Sequence, residues 1–165
     1  MRLLFTLATS APAGPIETLQ SLSTAGGLYD NHVASRAFEH ATLEVCWRDG
    51  AQWSDVHAAG EDTRGGDCLP GDVGFVIETI SRGELDWHEA VADCLADGMR
   101  LATIFEASVA RPLGAEPVGD DDWWLSGPLG MDDYVSYKAP AIDNIGRIQG
   151  LGVTAGYPQA YVCAL

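Results

Sequence analysis

Apolar residues recur at helical spacing in one stretch of this chain and at alternating spacing in several others. Trp87, Ala90, Val91, Cys94 and Leu95 stand at i, i+3, i+4, i+7 and i+8, the stripe of an amphipathic helix. Asp86 precedes it, placed to accept from first-turn amides, and Glu89 three residues on reaches back to the cap amide. Gly98 falls where a left-handed residue closes a helix. The spacing predicts about three turns, with Cys94 on the buried side and His88 on the exposed side. Residues 99–102 form a tight link. Thr103 and Glu106 then make a second capping box, opening a short helix that Pro112 stops.

Strand signals flank these helices. Leu3, Phe5 and Leu7 alternate with Arg2, Leu4 and Thr6 and predict an N-terminal strand. Phe38, Leu43, Val45 and Trp47 predict one or two strands between about residues 37 and 53, and residues 73–77 read as a short buried strand. The stretch 58–71 is rich in Gly, Pro and acidic residues and reads as loop. Beyond Pro112 comes an acidic loop over residues 114–122, then a strand over 123–127 that ends in a turn. Residues 134–137, 145–148, 152–154 and 160–163 are further short strands or loop pieces. No repeat of solenoid length is visible. Two helices followed by several short strands indicate a loop-rich α+β domain.

At 165 residues the chain has room for one domain, or a small domain plus an extension. Nine Lys and Arg face 24 Asp and Glu, and the formal net charge of −15 repels polyanions. Lys138 is the one lysine and no basic run exists, so nucleic acid is excluded as a partner. No apolar run approaches the length of a membrane span. Residues 1–13 faintly resemble a secretory signal, but their charged and apolar parts are short for one, and the alternating strand is the preferred reading. Cys46, Cys68, Cys94 and Cys163 allow three pairings. The absence of C-x-x-C argues against zinc-ribbon and thioredoxin-like sites. The wide spacing suits disulfides or buried thiols, and the even number leans toward disulfides.

Catalytic signatures are missing. His32, His40, His57 and His88 lack H-x-x-x-H or H-E-x-x-H spacing, and no G-x-S-x-G, Walker A or dinucleotide-binding motif occurs. Ser54, Asp55 and His57 are neighbours in sequence, but triads assemble from distant segments. The expectation is a non-enzymatic protein without cofactor. Asp120, Asp121, Asp122, Asp132 and Asp133 offer oxygen ligands to a hard cation, yet such loops are more often solvated, and no metal site is assigned. Trp123 and Trp124 are the recognition candidates. On a strand they face opposite sides, so one is expected in the core and one at the surface. Tyr134, Tyr137 and Tyr157 lie in the same loop-rich half and extend that candidate ligand surface.

The run Trp87-His88-Glu89-Ala90, then Cys94, then Gly98-Met99-Arg100-Leu101-Ala102 resembles the C-type lectin-like domain. In that family a first helix carries W-x-x-A-x-x-x-C and a G-x-x-L-A link leads to the second helix. Trp124-Leu125-Ser126-Gly127 is similar to a degenerate W-I-G-L sheet-opening motif, and Tyr161-Val162-Cys163-Ala164 to the closing strand. The resemblance spans residues 73–165. It implies two short helices packed on a small, loop-rich antiparallel sheet in a domain over residues 67–165, preceded by a β-rich extension over residues 1–66. It also implies a Cys94–Cys163 disulfide. The family's usual inner disulfide has no cysteines here, so Cys46 and Cys68 either pair separately or stay reduced. The calcium–sugar motifs are also missing: Glu116-Pro117-Val118 precedes the sheet-opening strand and lacks Asn, and Asp143-Asn144 has no preceding Trp. The formylglycine-generating relatives need a cysteine pair near the C-terminus, where only Cys163 stands. Cys94-x-x-x-Gly98-Met99-Arg100-Leu101 with Phe105-Glu106 is similar to versions in virion proteins of tailed bacteriophages. The resemblance thus implies a structural and surface-recognition module on a virion (head, tail fibre, spike or decoration). It would assemble with virion subunits as a homo-oligomer and contact a host glycan or receptor. The alternative is a secreted, calcium-independent glycan- or protein-binding domain.

Overall fold

β1 (Thr42–Arg48) and β2 (Ala51–His57) form a hairpin closed by Asp49 and Gly50, both at positive φ, 52° and 80°. A two-residue turn of this hand matches the twist of paired strands and fixes the register, with Arg48 opposite Ala51. The computed structural model describes residues 36–69, 72–115, 123–127, 130–132, 136–143, 145–152 and 158–165. The strand expected at residues 2–7 lies outside them.

β1 also pairs antiparallel with β3 (Val73–Glu78), and the five-stranded sheet continues through β11 (Cys163–Ala164) to β5 (Arg100–Leu101). A second, six-stranded sheet contains β4 (Arg82–Leu85), β6 (Trp123–Trp124), β7 (Gly130–Asp132), β8 (Ser136–Ile142), β9 (Ile148–Gly152) and β10 (Gln159–Tyr161). β10 lies parallel to β6 and antiparallel to β4. The fold is α+β as expected, but with two sheets rather than one, and the second is mixed. The last strands connect them: the chain leaves β10, passes the fully buried Val162 and enters β11. β9 starts at Ile148, so the apolar stretch over 145–148 is mostly turn and Ile145 is exposed.

Two helices sit between the sheets' connections. α1 (Trp87–Ala96) has the expected capping box: Asp86 Oδ1 accepts from Glu89 N at 2.9 Å, and Asp86 N donates to Glu89 Oε2 at 3.3 Å. Its end is a Schellman turn, with Gly98 N donating to Leu95 O, Met99 N donating to Cys94 O, and Gly98 at φ 67°. Ala90 and Cys94 face the core, but Leu95 is 61% exposed because it lies at the edge of the stripe. α2 (Ile104–Ala110) carries the second capping box, between Thr103 and Glu106, and a 3-10 turn containing Pro112 ends it. Arg100 of β5 closes an ion pair with the buried Glu106, fastening the link to α2.

Side chains of the first sheet divide by parity. Leu43, Val45, Phe75 and Ile77 face one core, with Ala107 and Ala110 of α2, Trp123, Leu125, Ile142 and Val162. Val76 faces a second core with Phe38, Ala90, Cys94, Leu101, Trp124, Ala139 and Tyr161. The expected boundary at 66/67 falls inside this unit, because β1 and β2 belong to the same sheet as β3 and β11. Leu43 and Val45 can be buried only against that sheet's neighbours. The Cys46–Cys68 disulfide also crosses that boundary.

The Cys94–Cys163 disulfide implied by the resemblance is present, with a Cα–Cα distance of 5.4 Å, joining α1 to β11. Cys46–Cys68 is also bonded, at 5.8 Å, tying β1 to the loop that follows β2. Sequence separations of 69 and 22 residues set the loop entropy each removes from the unfolded chain. Replacing Cys94 and Cys163 by serine is expected to cost about 4 kcal/mol, and replacing Cys46 and Cys68 about 3 kcal/mol, in urea unfolding. The long-range pair should be the costlier loss.

Candidate functional site

The densest polar arrangement lies where β3, β4, α1 and β10 meet. Arg82, the first residue of β4, directs its guanidinium at three carboxylates. Nη2 lies 2.7 Å from Glu78 Oε1 and 2.6 Å from Asp97 Oδ2, Nη1 lies 2.5 Å from Asp93 Oδ2, and Nε lies 3.1 Å from both Glu78 oxygens. The Glu78 side chain is 2% exposed, whereas those of Asp93 and Asp97 are 42% and 37% exposed. Glu78 Oε2 also accepts the backbone N–H of Cys163 at 3.0 Å, and Tyr161 donates its hydroxyl to Asp93 Oδ2 at 2.7 Å. Burial works against the charge on Arg82, but hydrogen bonds to its carboxylates hold its pKa above the ordinary value. The Tyr161 hydrogen bond, aided by Arg82 and opposed by burial, pulls Asp93 below the usual carboxylate range. Burial and the Asp93 hydrogen bond push Tyr161 upward.

Beside this network is a cleft of about 170 Å³ lined by Arg36, Phe38, Glu39, Glu78, Arg82 and Met99, among others. Arg36 caps the C-terminal end of α1 by donating to the carbonyls of Asp97 and Gly98, and its guanidinium stands 5.1 Å from the Phe38 ring centroid. The cleft is smaller than the roughly 300 Å³ at which pockets begin to enclose organic ligands. Arg82 has spent its donors on carboxylates, so it is a clamp rather than an anion site.

The cluster of Ser54, Asp55 and His57 does not assemble as a catalytic group. In the β1–β2 register Asp55 and His57 share a face with Glu44, while Ser54 points to the opposite face with Val45. His57 is buried and its Nε2 lies 3.0 Å from Glu44 Oε2. Gly66 packs over these groups so closely that a Cβ there would stand 2.8 Å from Glu44 Oε2. His88 is exposed, as its helical position predicts. Both cysteine pairs are in disulfides, and no thiol is free. Among the described residues no group of three or more His, Cys, Asp or Glu is placed to hold a metal, and no helix is long and apolar enough to cross a membrane. Asp120, Asp121, Asp122 and Asp133 lie outside the described residues.

Trp123 and Trp124 correct the expectation that one of them is exposed. They do face opposite sides of β6, but both are fully buried, because β6 lies between the two cores and each face is covered. Trp124 Nε1 donates to Leu85 O at 3.0 Å, and Trp87 Nε1 donates to Leu125 O at 3.1 Å, so α1, β4 and β6 are bonded to one another. Neither indole of β6 is available to stack on a ligand. Tyr137 lies in β8; Tyr134 and Tyr157 fall outside the described residues. Among the described residues, exposed aromatic side chains lie elsewhere, at Trp53 of β2 and at Phe105. Phe105 of α2 is 57% exposed and packs 5.8 Å from Trp47 and 6.3 Å from Phe75, beside the exposed Val73. Its sequence signal was its place opposite the buried Ala107 and Ala110 on a short helix.

No protein-family model matches the chain, and no curated protein matches it.

Replacing Arg82 by methionine leaves Glu78 buried without its counter-ion, a loss expected to cost about 3–5 kcal/mol in denaturant unfolding, much of it recovered when Glu78→Gln is added. The Tyr161–Asp93 bond makes stability depend on pH at both ends. Tyr161 is raised in the folded state, so its contribution is complete below about pH 10 and is lost as pH rises beyond that. Asp93 is lowered, so its contribution is complete above about pH 4 and is lost as pH falls through its folded value. Tyr161→Phe is expected to flatten the alkaline limb of a stability–pH profile and to cost about 1 kcal/mol at neutral pH.

Proposed function

We propose that the chain is a non-enzymatic, calcium-independent recognition module with a C-type-lectin-like frame, displayed on the outside of a virion or a cell. The observation that carries this reading is the Cys94–Cys163 bond between the first helix and the closing strand. It joins the same two segments whose residues resemble the family, Trp87-x-x-Ala90-x-x-x-Cys94 and Tyr161-Val162-Cys163-Ala164. Two disulfides also favour an oxidising surrounding over a reducing one.

In this reading the contact surface is carried by the segments between residues 114 and 156, with Tyr134 and Tyr137 as aromatic anchors and Tyr157 extending it. Trp123 and Trp124, both buried, belong to the scaffold and not to that surface. Recognition then rests on aromatic stacking and hydrogen bonds rather than on an ion shared with sugar hydroxyls. The phage version rests on the wording of residues 94–106. It assigns the chain to a virion surface as a repeated subunit, whereas the secreted version assigns it to free extracellular binding.

The test is binding of the full chain to a glycan panel and to bacterial cells, with and without EDTA. Retention unchanged by EDTA and weakened at least tenfold by Tyr134→Ala or Tyr157→Ala is the expected result. Loss of binding in EDTA, or no binding to any glycan or cell, overturns the reading. Recovery of many copies in purified particles supports the virion placement; recovery only as a free chain in the medium supports the secreted one.

A further inference from the structure

β2 is the longest edge strand of the described fold, and its outer side is unpaired among the described residues. The direction of its peptide groups follows from two independent observations. The Asp49-Gly50 turn makes Arg48 and Ala51 the hydrogen-bonded closing pair, so Cys46–Trp53, Glu44–Asp55 and Thr42–His57 are the bonded pairs further along. On the far side of the sheet, Val76 exchanges both backbone bonds with Leu165, so Phe75 and Ile77 turn theirs toward Val45 and Leu43 of β1. That leaves Glu44 and Cys46 bonded to β2, in agreement with the first argument. The N–H and C=O groups of Gln52, Ser54 and Val56 therefore point away from the sheet.

β2 carries few of the usual guards of a strand edge: its one carboxylate, Asp55, is half-buried on the face it shares with Glu44 and His57. Its seven residues contain no Lys and no Pro, and its register with β1 is unbroken. Trp53 is 42% exposed on one face and Val56 59% exposed on the other. A single local cap exists: Asp55 Oδ1 accepts from Val56 N at 2.9 Å. The other edges are poorer templates. β5 has two residues, β7 has three, β4 has four, and β9 is interrupted by Gly150 and Gly152.

We propose that β2 is a homodimer edge: two copies of the chain pair their β2 strands antiparallel about a two-fold axis through Ser54, joining two five-stranded sheets into one. The register is self-complementary. Ser54 exchanges both backbone bonds with its counterpart, and Gln52 does so with Val56 of the second copy. Asp55 stands opposite Trp53 of the second copy rather than opposite another carboxylate, so the contact avoids like-charge pairing in a chain of net charge −15. Forming it exchanges the Asp55 cap for a cross-strand bond to Val56. The proposal stands on backbone direction and register and does not depend on the family resemblance.

The test is the mass of the full chain by multi-angle light scattering across a range of loading concentrations. The expected result is a species of twice the 17.5 kDa chain mass that dissociates on dilution. Ser54→Pro removes an outward N–H while sparing the β1 ladder, and is expected to weaken the dimer at least tenfold with unchanged near-ultraviolet circular dichroism. An independent variant, Ser54→Cys, places two thiols across the axis on Cα atoms about 5.5 Å apart, within disulfide range, and is expected to cross-link on mild oxidation. Gln52→Cys faces Val56 of the second copy and should not cross-link. A monomer at every concentration overturns the proposal. So does a dimer that survives Ser54→Pro in a folded chain, or a Ser54→Cys chain that fails to cross-link. If Ser54→Pro unfolds, the contrast between the two cysteine variants decides the matter alone.

Discussion

Glu78 is a carboxylate placed on a sheet face where no water reaches it, and much of the architecture follows from how that charge is compensated. Arg82, four residues on, turns back to meet it, which fixes the path from the first sheet into the second. The remaining guanidinium donors then reach Asp93 and Asp97, drawing α1 against the sheets. The other Glu78 oxygen accepts the Cys163 amide, placing the closing strand so that its sulfur meets Cys94. A buried ion pair of this kind contributes little net stability, because desolvation offsets most of the attraction. Its effect is on specificity: arrangements that leave Glu78 unpaired are strongly disfavoured.

The same sheet face carries Thr42, Glu44 and His57, all buried, the last two beneath the loop held by Cys46–Cys68. The opposite face is apolar and packs on α2. The first sheet therefore has one core on one side, and on the other a second core under β3, β11 and β5 that gives way to a polar layer over β1 and β2. Within that layer Glu44 and His57 pair with each other, and the loop after β2 covers them, with Gly66 so close that a Cβ would not fit. The disulfide anchors the cover at Cys46, in the middle of β1.

Both sheets share the closing segment of the chain. Tyr161 belongs to the second sheet, Cys163 to the first, and Val162 between them is fully buried. β6 lies next to that junction, which is why its two tryptophans are buried on opposite faces rather than divided between core and solvent. One exposed aromatic surface among the described residues, Phe105 over Trp47, arises where a short helix leaves part of the hairpin end of the first sheet uncovered.

Local chemistry was legible in the sequence wherever a short stretch decides its own conformation. Both capping boxes, the Gly98 helix end, the strand at residues 73–77 (buried except for Val73) and the exposure of His88 depend on neighbours within a few residues, and they stand as the spacing predicts. The α+β class followed from the same signals, and the Cys94–Cys163 bond from the family resemblance. What pairs with what across the chain did not follow, because backbone pairing between distant segments leaves no mark in local spacing. The membership of β1 and β2 in the main sheet, the Cys46–Cys68 bond and the burial of both Trp123 and Trp124 were decided by tertiary packing. Alternation told that the two indoles face opposite ways; only the presence of a core on each side of β6 determined that neither meets solvent.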